Sequence, residues 1–144
     1  DGPVKPNLID QVEKAGLTNI VFFDPVTKYD MPGIVKDVDV AAVPLRKLPL
    51  FEGAIPSKIF ENLAMEKPVL LGVDGEAKVL FIEEGKAGLH FEPENAEALA
   101  AQILRLKSGE VSAKTLGENG RAYVNEKFNR NTYFCIYHLY KFSW

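Results

Sequence analysis

Short, uniformly apolar runs alternate with stretches of helical period along most of this chain, and that alternation constrains its fold more than any other feature. Asn19–Phe23 is a compact β-rich run closed by Asp24-Pro25, and Asp39–Val43 is a second, closed by Pro44. Pro68–Gly72 is a third, followed by the turn Asp74-Gly75, and Gly88–Phe91 is a fourth. Helical stretches lie between and around them. Leu8, Ile9 and Val12 share one face from Pro6 to Ala15, and Gly16 offers a left-handed stop. Tyr29–Lys36 is a helical stretch interrupted by Pro32 and Gly33, and Leu45–Ile55 is a polar, proline-containing loop. Pro56–Met65 reads as a helix with proline near its first turn, where the missing N–H costs nothing. Glu76–Glu84 is helical, with Gly85 or Gly88 as its stop. Asn95 caps a helix through Leu106 in which Leu99, Ile103 and Leu106 keep the i, i+4, i+7 spacing. Ser112–Lys127 and Asn131–Lys141 are two further helices. Uniformly apolar strands alternating with helices predict a parallel sheet covered on both faces, an α/β doubly wound domain.

Composition narrows the function classes. A chain of 144 residues that is 47% hydrophobic and 26% charged fits one ordinary globular domain. Its formal net charge of −3 argues against a nucleic-acid partner, which would call for a basic surface. The single cysteine, Cys135, excludes an internal disulfide and a cysteine-based metal site, which suits a reducing cytoplasmic compartment. No apolar run approaches the roughly 20 residues that span a bilayer.

Open parallel sheets take ligands beyond the carboxyl ends of their strands. The loops to inspect are therefore 24–29, 44–57 and 73–77. The longest delivers Pro56, Ser57 and Lys58 to a helix start, with Glu61 one turn on. Lys58 and Glu61, three apart, are neighbours on one helical face. Two readings of them stand side by side. A lysine in the first turn opposes the helix dipole, which suggests that it is matched to a bound anion; otherwise the two residues form an ordinary solvated ion pair. Asp74-Gly75-Glu76 reads as a turn linking strand to helix, with Glu76 well placed in the first helical turn. His90 and His138 have no metal-ligand partner at a recognised spacing, so packing explains them. Neither a hydrolase elbow, a G-x-G-x-x-G fingerprint nor a Walker motif is present. Tyr133, Phe134, Tyr137 and Tyr140 follow helical spacing, with core packing as the default explanation.

The order of these pieces resembles one family. Gly53–Val69 is similar to the donor-site helix and following strand of family-4-type retaining glycosyltransferases of the GT-B fold (glycosyl transferases group 1), in the Pro-Ser-Lys variant of bacterial enzymes that build surface polysaccharide and lipopolysaccharide. Asp1-Gly2-Pro3, Asn19–Asp24, Val38-Asp39-Val40, Gly75-Glu76 with Gly88, Phe91–Ala100, Gly120-Arg121 and Phe128 resemble further segments in the same order. The resemblance implies a Rossmann-like carboxyl-terminal GT-B domain, one that lacks its first strand before Asp1 together with the acceptor-binding domain, and is inactive alone.

By the same resemblance, Glu61 matches the second acid of the E-x7-E signature and hydrogen-bonds the donor ribose, a task suited to a carboxylate that accepts two hydroxyls at once. Lys58 lies beside it, within reach of the diphosphate. The loop Glu52, Gly53, Ala54 and Ile55 presents backbone N–H groups to sugar and phosphates, continuing into Pro56 and Ser57. Asp24 and Pro25 lie near the base, and Gly75 and Glu76 near the donor pocket. A strict signature would place an acid at position 53, which is Gly53; Glu52 stands one residue earlier.

The implied reaction moves a sugar from a UDP- or GDP-linked donor to a hydroxyl of a glycan or lipid-linked saccharide, with retention and without a cofactor or obligatory metal. The implied setting is the cytoplasm, with peripheral association of the full enzyme at the inner face of the membrane. An aromatic carboxyl-terminal helix without its usual cover invites self-association. Two other readings are a UDP-sugar 2-epimerase, whose acids and histidines His90 and His138 do not match, and a non-catalytic nucleotide-binding α/β module. A receiver-like version of the latter would need an acidic cluster and a strand-ending aspartate that are not seen.

Overall fold

A computed structural model of the chain describes residues 2–27 and 29–128. The chain divides into two compact units, Asp1–Ile34 and Val35–Trp144.

In the first unit, helix α1 (Lys5–Lys14) forms where the apolar spacing predicts it, and Gly16 follows with φ 65° as its left-handed stop. Residues 19–23 differ from expectation. They form no strand, and Val21 and Phe23 are 70% and 66% exposed. β propensity alone does not make a strand, because the backbone N–H and C=O groups need a partner ladder. Among the described residues of this unit no other extended segment supplies one. Helix α2 (Met31–Lys36) begins just before Pro32, tolerated in a first turn.

The second unit holds the core. Three short strands, β1 (Ala41–Pro44), β2 (Val69–Gly72) and β3 (Gly88–His90), form a parallel sheet in the order β1-β2-β3. Ala41 pairs with Val69, and Val69 with Gly88, so all three carboxyl ends open on one edge. Helix α3 (Ser57–Ala64) joins β1 to β2. Helix α4 (Glu76–Lys78) leads into a π-helical turn (Val79–Glu84) before β3. The sequence predicts an α-helix over the whole of 76–84. The wider turn, closed by the Gly85 N–H on the Leu80 carbonyl at 2.9 Å, accompanies complete burial of Phe81. Helices α5 (Ala96–Lys107) and α6 (Ala113–Lys127) follow. Asn95 caps α5 by accepting the Ala98 N–H, and Ser112 caps α6 by accepting that of Thr115. The helix expected at Asn131–Lys141 lies outside the described residues.

β2 is buried at every residue, as a strand covered on both faces must be. Successive side chains alternate. Val69 and Leu71 join Ile59 and Leu63 of α3, Phe81, and Val124 of α6 in one buried cluster. Leu70 is equally buried but stands outside that cluster, on the opposite face, and α5 packs against β2. Each such fully buried aliphatic or aromatic side chain contributes about 1.5–3 kcal/mol of transfer free energy. The fold is the doubly wound α/β arrangement that the alternation predicts. Among the described residues, no helix is long and apolar enough to cross a membrane.

Candidate functional site

Because the strands are parallel, the loops after β1, β2 and β3 gather on one edge, where such sheets take ligands. The first, residues 45–56, is long and contains a 3-10 turn at Pro49–Phe51. It is fastened at several points. The Leu45 N–H continues the ladder to the Gly72 carbonyl at 3.0 Å. The Lys47 N–H donates to Glu94 at 3.1 Å, and the Lys47 ammonium meets Glu92 at 3.0 Å. The hydrogen bond to Glu92, and then its charge, push the Lys47 pKa up; the same bond, joined by one from Asn95, pushes Glu92 down. Arg46 sits 3.9 Å from Glu94.

The loop after β2 is fastened to the first. Glu76 donates its N–H to the Glu52 carbonyl at 2.8 Å, and Gly75 has φ 79° and ψ −143°, a conformation open only to glycine. A Cβ at Gly75 would also overlap the backbone of Glu52. Of the residues singled out in the sequence, Glu52, Gly75 and Glu76 are therefore brought together directly. Of these three only Glu52 lines the adjoining cleft, together with Arg46, Lys47, Leu48, Phe51, Val73 and Asp74; its volume is about 280 Å³.

Helix α3 leaves this edge. Pro56 is its N-cap residue with extended geometry, and no side chain caps the first turn; the Ile59 N–H donates to the Pro56 carbonyl at 3.0 Å, and those of Ser57 and Lys58 precede the helix ladder. Ser57, Lys58 and Glu61 are exposed, while Ala54, Ile55 and Pro56 are half-buried. Lys58 and Glu61 make no ion pair with each other, although they are three residues apart. On the other side of the helix Ile59 and Leu63 are fully buried, which fixes the outward face. Asp24 and Pro25 belong to the first unit, where the Asp24 carboxylate meets Lys5 at 3.2 Å.

Two features of the edge escape sequence reasoning. Arg46 and Lys47 stand in a stretch read only as polar loop, and their acidic partners lie some fifty positions on. His90, read as packing, ends β3 with Nε2 3.0 Å from Asp74 Oδ1, yet that nitrogen is buried without a well-directed hydrogen bond. Burial, reinforced by the positive charge of Lys78, lowers the His90 pKa against the opposing pull of Asp74. The only hint in the sequence is that Asp74 follows an apolar strand run and His90 lies within the next. Among the described residues, no three His, Cys, Asp or Glu side chains gather closely enough to hold a metal ion.

The sheet and its edge define the class: an open α/β domain of GT-B type. The family described as "Glycosyl transferases group 1" matches residues 1–123, and the chain belongs to that family. No curated protein matches the chain. Two of the solved structures similar to it follow. One is a sucrose-phosphate synthase from Thermosynechococcus elongatus, with a TM-score of 0.78 and 25% identity over 97% of this chain. The other is HepE from Anabaena in complex with UDP, with a TM-score of 0.68 and 23% identity over 89% of this chain. The chain covers 34% of each of those proteins.

Proposed function

We propose that this chain is the donor-binding domain of a glycosyltransferase that moves a sugar from a nucleotide-diphosphate sugar to a hydroxyl acceptor with retention. The observation that carries this reading is the outward face of α3. There Lys58 and Glu61 stand exposed and unpaired with each other beside an uncapped helix start, at the carboxyl edge of a parallel sheet. An ammonium and the first two N–H groups of the helix suit a diphosphate, and a carboxylate one turn on suits the vicinal hydroxyls of a ribose. Membership of the family supports sugar transfer, and UDP in the HepE structure supports a nucleotide-linked donor.

In this reading the residues of the chain bind and orient the donor. Lys58 and the α3 amino end stabilise negative charge as the diphosphate departs, and Glu61 fixes the nucleoside so that the sugar carbon faces the acceptor. The fastening of Glu52 to Glu76 holds the backbone of residues 52–55 in a preformed shape, which spares ordering cost when the donor arrives. The acceptor is a glycan or lipid-linked saccharide of surface polysaccharide synthesis, met at the cytoplasmic face of a membrane. Calorimetric titration of the chain with UDP, GDP and a UDP-sugar tests the reading: saturable binding of a nucleoside diphosphate supports it, and heat of dilution alone for all three counts against it.

A further inference from the structure

We propose that the outward face of α5 is a homodimer interface, on which a second copy of this chain lays its own α5 antiparallel across a two-fold axis. The outer face of a surface helix is ordinarily polar. Here Leu104 is 62% exposed and Ile103 43%, side by side, while Leu99 and Leu106 turn inward and α5 packs against β2. Ala100 and Ala101, both exposed, carry the apolar face one turn back toward the helix start. Glu97 and Lys107, also exposed, close its two ends. Neither of these charges has an ion-pair partner among the described residues, whereas Arg105, between them, is taken by Glu110 at 2.7 Å. Beside Ile103 the surface is concave. A hollow of about 370 Å³ is walled there by Val40, Leu106 and Ala113, so the ridge of a second helix can seat in it rather than rest on a flat face.

The order of the residues selects a second copy as the occupant. An antiparallel pairing about a two-fold axis level with Gln102 sets residues equally far from that position against each other. Glu97 then faces the partner's Lys107, and Ala100 the partner's Leu104, each twice by symmetry. Opposite charges meet at both ends, and a large side chain meets a small one between them. A parallel pairing would set Glu97 against Glu97 and Lys107 against Lys107, like on like. The helix spans about 18 Å, so its face is smaller than a standard interface, and the dimer dissociates at about 10 µM to 1 mM rather than in the nanomolar range. Helix α5 starts from the carboxyl edge, directly after β3. In the antiparallel dimer the carboxyl edges of the two sheets therefore open at opposite ends and both stay accessible. Dimerisation is compatible with donor binding and does not depend on it.

The test is sedimentation equilibrium of the full chain from about 10 µM to about 1 mM, at about 50 mM salt, where exposed pairs are little screened. The expected result is a monomer–dimer equilibrium with its midpoint in that range. Glu97→Lys or Lys107→Glu alone weakens the dimer about tenfold, since each turns two attractions into two repulsions. The double variant, Glu97→Lys with Lys107→Glu, restores it to within about threefold of the parent, which a change in folding would not do. Leu104→Glu, on the exposed face, abolishes it while leaving the circular dichroism and the unfolding midpoint near those of the parent. A chain that stays monomeric up to about 1 mM overturns the proposal. So does a dimer that survives Leu104→Glu and ignores the charge reversals, and so does growth beyond the dimer, which a closed two-fold contact forbids.

Discussion

The carbonyl oxygen of Glu52 accepts the backbone N–H of Glu76 at 2.8 Å, so the loop that leaves β1 is pinned to the start of the helix that follows β2. Gly75 makes this approach feasible, since a side chain there would meet the Glu52 backbone. The bond shapes residues 52–55, where the Glu52 and Ala54 N–H groups are taken by the Pro49 and Phe51 carbonyls and those of Gly53 and Ile55 are the ones left to a donor in the proposed function.

Gly75→Ala therefore loses on two counts, an unfavourable φ of 79° and an overlap with the Glu52 carbonyl. Strain of this kind costs about 1–3 kcal/mol, and a chemical-denaturation midpoint should fall accordingly with an unchanged m value. A midpoint equal to that of the parent chain would contradict the pinned geometry.

Leu63 is fully buried between β2 and α6, and Gly120 of α6 sits against its side chain. Leu63→Ala leaves a cavity there and should cost about 2–5 kcal/mol in thermal or chemical unfolding. A loss well under 1 kcal/mol would mean that α3 and α6 are not packed as described.

Asn95→Ala removes the cap on the Ala98 N–H and should cost about 1 kcal/mol, restored in part by Asn95→Ser. This cap was legible in the sequence because capping is local: the residue type, its position before a periodic run and the partner N–H lie within one turn. The buried strands 39–43, 68–72 and 88–91 were legible for a similar reason, as short apolar runs between turn signals. The chain at 19–23 carries the same signal and forms no strand, since pairing depends on a neighbour that the run itself does not specify. The π turn was hidden too: it accompanies the burial of Phe81, whose ring centroid lies 5.4 Å from that of Phe60, a contact distant in sequence. At the site, α3 could be read from period and proline, whereas the clamp of Lys47 on Glu92 and the meeting of His90 with Asp74 depend on parallel strand register.

His90 carries a pH signature. Its folded pKa lies below the ordinary 6.5, chiefly through burial, so the unfolded chain binds a proton more readily. Stability linked to His90 is thus present above about pH 6.5 and is lost as the pH falls from there toward the lowered folded value. Unfolding free energies measured from pH 8 to 5 should decline over the acidic half of that range, and His90→Gln should flatten the decline. An identical slope in the variant would remove His90 as its source.

The most direct measurement of the central claim is a double-mutant-style cycle on Glu61 and the ribose. UDP and 2′,3′-dideoxy-UDP are titrated calorimetrically into the parent chain and into Glu61→Ala, a change on an exposed helix face. If Glu61 holds the ribose hydroxyls, removing either partner weakens binding about tenfold, and removing both costs little more than removing one. Equal affinities for the two nucleotides in the parent chain, or no change with Glu61→Ala, would contradict the account.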